Sequence, residues 1–265
     1  MSNDVTRILP REPDALSRPM AIISDIHSNI LALRAVLEDI ARRGIERVVC
    51  LGDVIGYGAN PVECWRLVRE TCDTVIRGNH DQALGSTGLS RFHPRARKAM
   101  EWTRRRLLEE EDGAAIIDAI TNLPRLVREK EYLYVHGSPA DPTMDYLLPG
   151  DAFDKPRMER EFALVDVYAF NGHTHIPGVV EKGRRFMPPE AFSKSEYFMT
   201  GIPAIINAGS VGQPRDGDPR ACYLTIEANV ARYHRVEYDA EEACARIVAV
   251  KELDPFLGRR LLAGY

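Results

Sequence analysis

Seven histidines and a scatter of carboxylates hold most of the reactive potential of this 265-residue chain. Five of the histidines, His27, His80, His136, His173 and His175, fall just after short apolar runs, in clusters that also contain Asp25, Asp53, Asn79 and Asp81. One histidine at a strand end usually has a structural explanation. Five together with carboxylates and an amide share a problem, because buried polar groups need partners. A common cation site supplies those partners at once. The donor set is carboxylate, imidazole and amide oxygen, without thiolate. It suits manganese, iron, zinc, nickel or cobalt and argues against a cysteine-ligated structural zinc. Asp-x-His at 25 and 27, and His-x-His at 173 and 175, read as extended segments whose alternate side chains share one side. Asp53 follows the apolar run Arg47 to Leu51 and precedes glycines at 56 and 58. Its carboxylate is expected in a turn at a strand end, where its two oxygens can bridge two ions.

The elements that must position these residues follow from periodicity. Met20 to Ser24 reads as a buried strand. Ile30, Leu33, Val36, Leu37 and Ile40 give a helix over 30–43, capped by Ser28 or Asn29 and stopped at Gly44. A strand over 47–51, a helix opened by Pro61 and a strand over 73–76 come next. Strand alternating with helix, with a polar cluster after each strand, implies a parallel sheet with helices on its faces. Ligand sites in such sheets lie at the carboxyl ends of the strands. Residues 86–122 read as a charged helical insert or cap. From Pro124 the pattern is β-rich, with strands ending at His136 and at Asn171. Later short strands, near 178–182, 184–187, 204–207, 221–226 and 230–237, are expected to form a second sheet. A last helix over 241–253 is stopped by Pro255. His93 reads as a residue at a helix start, and His234 as a surface or edge residue.

Five blocks then carry a specific resemblance: Asp25-Ile26-His27, Gly52-Asp53, Gly78-Asn79-His80-Asp81, His136-Gly137 and Gly172-His173-Thr174-His175. In identity, order and spacing they resemble the calcineurin-like metallophosphoesterases. The resemblance implies a four-layer α/β/β/α sandwich of two mixed sheets flanked by helices, with the metal site at strand C-terminal ends. It implies that Asp25, His27 and His175 hold one metal and that Asn79, His136 and His173 hold the other, with Asp53 shared. It further implies that His80 contacts phosphate and protonates the leaving oxygen, with Asp81 orienting it or tuning its pKa. Asn207 to Asp218 is similar to a segment of the bacterial and archaeal phosphodiesterase-like subgroup, with Ala208 where that subgroup has proline. Arg215 within it is a candidate phosphate donor. Tyr57 and Arg77 are further candidates for lining the substrate pocket. Protein Ser/Thr phosphatases of this superfamily carry Asp and Arg where this chain has Gly56 and Tyr57, which puts that role in doubt.

Composition bounds the rest. A net charge of −4 does not suggest a dedicated nucleic-acid binder. No apolar run approaches the length of a membrane span. Five scattered cysteines, with no C-x-x-C pair, indicate neither a disulfide framework nor a zinc site and favour the cytoplasm. Residues 1–18 read as a flexible tail ahead of a single domain over 19–265. The expected activity is hydrolysis of a phosphate ester of a small molecule, monoester or diester, by water activated on two divalent ions, with manganese the first choice. The rival readings are a metal-dependent nuclease and a non-catalytic scaffold of the same fold.

Overall fold

Strands that are apolar at every position must be covered on both faces, and that condition sets the layering. A computed structural model describes residues 6–8, 18–85 and 92–265. The chain runs β1 (Thr6–Ile8), β2 (Met20–Ile23), α1 (Ile30–Arg42), β3 (Arg47–Cys50), α2 (Pro61–Thr71), β4 (Thr74–Val75), α3 (Asn79–Ala83), α4 (Pro94–Leu108) and α5 (Gly113–Thr121). It continues through β5 (Leu126–Glu129), β6 (Tyr132–Val135), α6 (Lys155–Phe162), β7 (Tyr168–Asn171), β8 (Gly178–Glu181), β9 (Phe186–Met187), β10 (Glu196–Phe198) and β11 (Ala204–Asn207). It closes with β12 (Ala221–Glu227), β13 (Val230–Val236), α7 (Ala240–Ala249) and α8 (Phe256–Arg259).

Two mixed sheets result. One has the order β10-β13-β12-β2-β3-β4, the other β1-β5-β6-β7-β11-β8-β9. Ala21, Ile23, Val48 and Cys50 face the helices, packed with Leu33 and Val36 of α1, Trp65 of α2, Met100 of α4 and Ile120 of α5. The alternate residues, Met20, Ile22 and Val49, turn the other way and meet Tyr134, Phe170, Val179 and Ile206 between the sheets. The outer face of the second sheet, with Leu133, Val135, Ala169 and Ile205, is covered by Met158 and Phe162 of α6. The architecture is therefore the four-layer α/β/β/α sandwich.

Several local readings are corrected. The late strands do not make a sheet of their own. β12 pairs antiparallel with β2, Leu224 opposite Ile22, and β13 and β10 follow outward, so these three extend the first sheet. Only β8, β9 and β11 of the late strands join β5 to β7. The reason lies in β12 itself: residues Ala221 to Ile226 are all buried, so the strand needs cover on both faces, which a place beside β2 provides. His234 is buried, not a surface or edge residue. Its Nε2 lies 2.8 Å from Thr225 Oγ1, and its ring stacks on Tyr223. The last helix ends at Ala249, and Pro255 opens α8 rather than closing the fold. His93 does cap α4, accepting from Arg95 N at 3.4 Å.

Most of the expected N-terminal tail lies outside the described residues; within it, β1 pairs in parallel with β5. Residues 86–91 of the expected insert also lie outside them, while α4 and α5 share the apolar cluster of α1 and α2. Among the described residues no helix is long and apolar enough to cross a membrane.

Phe170 is fully buried between the sheets and stacks on Tyr134 with ring centroids 5.8 Å apart. Phe170→Ala is expected to lower unfolding free energy by about 3–5 kcal/mol in a denaturant titration. A loss below about 1 kcal/mol would contradict this packing.

Candidate metal centre

The loops after β2 and β3 are held together beyond the ends of their strands. Asp25 N donates to Gly52 O at 3.0 Å, His27 N to Asp53 O at 2.9 Å and Ser28 N to Val54 O at 3.0 Å. Val211 N and Gly212 N donate to Ser24 O and Asp25 O, both at 2.9 Å, and Gly172 N donates to His136 O at 3.0 Å. Within this lattice the backbone turns left-handed at the key residues: φ is 52° at Asp25, 48° at His27, 51° at Asp53, 65° at His173 and 60° at His175. Asp25-x-His27 and His173-x-His175 are therefore not extended segments with alternating side chains, as the sequence suggested. Each is a turn, and the turn rather than strand pleating aims both side chains inward. A non-glycine residue in this region costs roughly 1–3 kcal/mol, offset here by the loop hydrogen bonds. Close approach also explains two glycines. A Cβ on Gly78 would lie 2.0 Å from Asp53 Oδ1, and one on Gly172 2.3 Å from Asp25 Oδ2.

The side chains brought together fall into overlapping groups. Asp25, His27 and His175 form one, Asp53, His136 and His173 another, and in each the donor atoms lie within 4.8 Å of one another. His27 Nε2 and His175 Nε2 are 3.1 Å apart, and His175 Nε2 is 3.1 Å from Asp25 Oδ1. In the second group His136 Nε2 lies 3.1 Å from His173 Nδ1, 3.2 Å from Asn79 Oδ1 and 3.4 Å from Asp53 Oδ2. The opposite ring nitrogens meet backbone carbonyls. His27 Nδ1 faces Ile55 O at 3.4 Å, His136 Nδ1 faces Leu51 O at 2.9 Å, His175 Nδ1 faces Gln213 O at 2.5 Å and His173 Nε2 faces Met144 O at 3.3 Å. A carbonyl only accepts, so the outer nitrogens carry a proton, and in each ring that is neutral the inner nitrogen presents a lone pair. Between His27 and His175 lone pair thus faces lone pair, and Asp25 Oδ1 is buried without a hydrogen-bond partner. The donors present fit divalent cations.

The electrostatics point the same way. Burial pushes Asp25 and Asp53 up, but the imidazoles of His175 beside Asp25 and His136 beside Asp53 outweigh it and hold both carboxyls well below the usual range. Burial would lower His136, yet the charge of Asp53 and their contact raise it to about 9. Burial lowers His27 and His175, and brings His173 down to about 3 with help from His136.

The remaining expected residues divide. His80 lies on the first turn of α3, and a nitrogen of its ring shares a third donor group with His27 and Asp53. Its Nδ1 is 3.2 Å from Met100 Sδ, and burial lowers it to about 4. The Asp81 carboxylate accepts from Gly78 N at 3.0 Å, Val54 N at 3.1 Å and Ile55 N at 3.4 Å, so it ties the second and third loops together. Burial, then the charge of Asp53, push Asp81 up to about 7. Tyr57 packs on both His27 and His80, at centroid distances of 4.7 and 4.4 Å. Arg77 donates to Thr121 O at the end of α5. Arg215 lies beside the cluster, its backbone N donating to His175 O at 3.3 Å.

Four residues that sequence reasoning left out also border the site: Met100, Tyr146, Gln213 and Arg260. Tyr146 stacks on His173 at 3.6 Å between centroids and is 46% exposed. Gln213 stands in the Asn207 to Asp218 segment, two residues before Arg215, but nothing in that segment marks it. Met100, Tyr146 and Arg260 stand in no motif, so only the folded chain reveals them.

A two-sheet α/β/β/α sandwich gathering buried histidines and carboxylates at its strand ends defines a metallophosphoesterase-type fold. The calcineurin-like phosphoesterase superfamily domain matches residues 19–229, and the chain belongs to that superfamily. It is 37% identical over 253 residues to the uncharacterized protein MJ0912 of Methanocaldococcus jannaschii, covering 92% of this chain and 98% of that one. Among solved structures it is similar to a metallophosphoesterase from Sphaerobacter thermophilus, with 34% identity, a TM-score of 0.79 and coverage of 94% of this chain and 100% of the other. It shares the fold of the hypothetical protein PH1004 from Pyrococcus horikoshii, with 19% identity, a TM-score of 0.72 and coverage of 93% and 98%.

With His136 raised to about 9, its inner nitrogen is protonated at neutral pH in metal-free protein. A cation must displace that proton, so affinity is expected to fall as pH drops from 9 towards 6.5, by roughly tenfold per unit, with about one proton released per protein. Metal titrations in buffers of different ionisation enthalpy check this. Affinity that is flat across that range, with no proton release, would refute it.

Proposed function

We propose that the protein is a two-metal phosphoesterase acting on a phosphate ester of a small molecule. One observation carries the reading. Asp53 Oδ2 lies 3.7 Å from His27 Nε2 and 3.4 Å from His136 Nε2, between two groups of converging donor atoms. In this reading Asp25, His27 and His175 hold one ion and Asn79, His136 and His173 the other, while Asp53 serves both. Divalent ions held there supply Lewis acidity towards phosphoryl oxygens and make water acidic enough to attack phosphorus near neutral pH. Manganese is the first choice on donor hardness, with iron, zinc, nickel or cobalt as alternatives.

The remaining work belongs to side chains of this chain. His80 stands beside Asp53, with its backbone N donating to Asp53 Oδ1 at 2.8 Å. Its imidazole gives a proton to the leaving oxygen as the phosphorus–oxygen bond breaks. Burial keeps that ring neutral even beside Asp53, and a phosphate alongside raises its proton affinity further. Asp81 is the positioning residue, fixing the loop that carries Asn79 and His80. Arg215 offers its fork to the phosphate. Gly56 and Tyr57, in place of the Asp and Arg of protein Ser/Thr phosphatases, favour small-molecule or diester substrates. Five unpaired cysteines accord with a cytoplasmic protein.

Turnover of an aryl monophosphate and a bis-aryl phosphate, measured with each of the five metals, tests the reading. No turnover with any of them would sink it. Asp53→Asn is expected to lose metal and activity together. His80→Ala should keep its metal and lose about 100- to 10,000-fold in kcat. A His80→Ala rate within a few-fold of wild type would remove the acid role, and loss of metal in that variant would make His80 a ligand instead.

A further inference from the structure

Beside the donor cluster, two guanidinium groups meet on a single oxygen atom. Arg215 Nη2 donates to Gln213 Oε1 at 2.8 Å, and Arg260 Nη1 donates to the same oxygen at 3.1 Å. Gln213 is 1% exposed, and its backbone oxygen takes the Nδ1 proton of His175 at 2.5 Å. One buried residue therefore fixes both arginines to the cluster.

Other arginines of this chain find carboxylates, as Arg235 does with Asp216, Arg232 with Glu196 and Arg157 with Asp145. Among the described residues, neither Arg215 nor Arg260 makes an ion pair with Asp or Glu. Arg260 Nε donates instead to the backbone oxygen of Tyr265, and its guanidinium sits 5.6 Å from the Phe256 ring centroid. Arg215 Nε is buried and has no hydrogen-bond partner. Burial, and then the neighbouring charge of Arg215, bring Arg260 down to about 10. Two like charges sharing one neutral acceptor repel each other, and an anion between them turns that repulsion into attraction. Guanidinium forks match the oxygens of phosphate at two points each.

We propose that Arg260, with Arg215 standing between it and the metal centre and reaching both phosphates, forms a second anion subsite, and that the substrate carries a second phosphate beyond the phosphoryl group that is hydrolysed. This rests on the phosphoesterase reading above and narrows its substrate class to bisphosphorylated small molecules. Arg260 comes from the short segment after Pro255, so that segment closes one side of the substrate site.

Glucose 1-phosphate and glucose 1,6-bisphosphate differ only in the second phosphate and serve as probes. Calorimetric titration of the manganese-reconstituted protein is expected to show at least about tenfold tighter binding of the bisphosphate. Arg260→Ala should cancel that preference. Arg260→Lys keeps the charge without the fork and should retain only part of it, which also decides the matter if the alanine variant does not fold. No preference in the wild type, or a full preference in either variant, overturns the subsite. A wild type that hydrolyses 4-nitrophenyl phosphate yet shows no preference loses the subsite alone. A wild type with the preference but no turnover under any of the five metals loses the phosphoesterase reading and keeps the subsite.

Discussion

Asp25 and Asp53 are buried carboxylates set among imidazoles whose inner nitrogens are turned towards them, and the rest of the molecule is arranged to tolerate that. An unpaired carboxylate removed from water costs several kcal/mol. Five left-handed residues around the cluster add roughly 1–3 kcal/mol each. Together these rival the whole net stability of a typical domain, roughly 5–15 kcal/mol. The cluster therefore persists only because its surroundings over-determine it. A proton on His136 meets part of the cost in metal-free protein.

The over-determination is visible in polar side chains that do no chemistry themselves. Ser210 Oγ donates to Asp25 O at 2.8 Å, Asn29 Nδ2 to Gly212 O at 3.0 Å and Asn207 Nδ2 to Gly172 O at 2.7 Å. Asn171 Nδ2 donates to Gly137 O at 2.9 Å. Each joins one strand-end loop to another, so the loops after β2, β6, β7 and β11, far apart in sequence, are tied into one body. Asp81 belongs to the same set, because its carboxylate faces three backbone amides. A change at one of these bonds acts on the centre through the backbone, by letting a donor atom drift from its neighbours.

The two sheets provide the rigid ground for those loops. The apolar layer between them locks β2 and β3 against β6 and β7, and these strands deliver Asp25, Asp53, His136 and His173 to one place. The same layering explains why β12 had to lie beside β2. The segment after α7 packs back on that helix through Leu253, Leu257 and Leu261, with Ala243 and Ile247, and so presents Arg260 beside Gln213. A centre built where two sheets meet draws its walls from both ends of the chain.

Much of this was legible in the sequence. Apolar runs ending in Asp, His or Asn placed the candidate donors at strand ends, because a buried strand and a polar site leave strong and opposite compositional marks. The four-layer architecture was what the resemblance carried by the five blocks implied; strand–helix alternation by itself gave a parallel sheet with helices on its faces. The left-handed turns were not legible, since Asp-x-His has the same letters in a strand and in a turn and only the loop hydrogen bonds select between them. The partition of late strands between sheets depended on which faces remained to be covered, a property of the assembled layers. The amide partners of Asp81, the aromatic packing of Tyr57 and the meeting of Arg215 with Arg260 on Gln213 are contacts between distant segments. Sequence alone determined which residues could do chemistry. Tertiary structure decided which atoms face one another, because burial and hydrogen bonding are settled only when the loops close together.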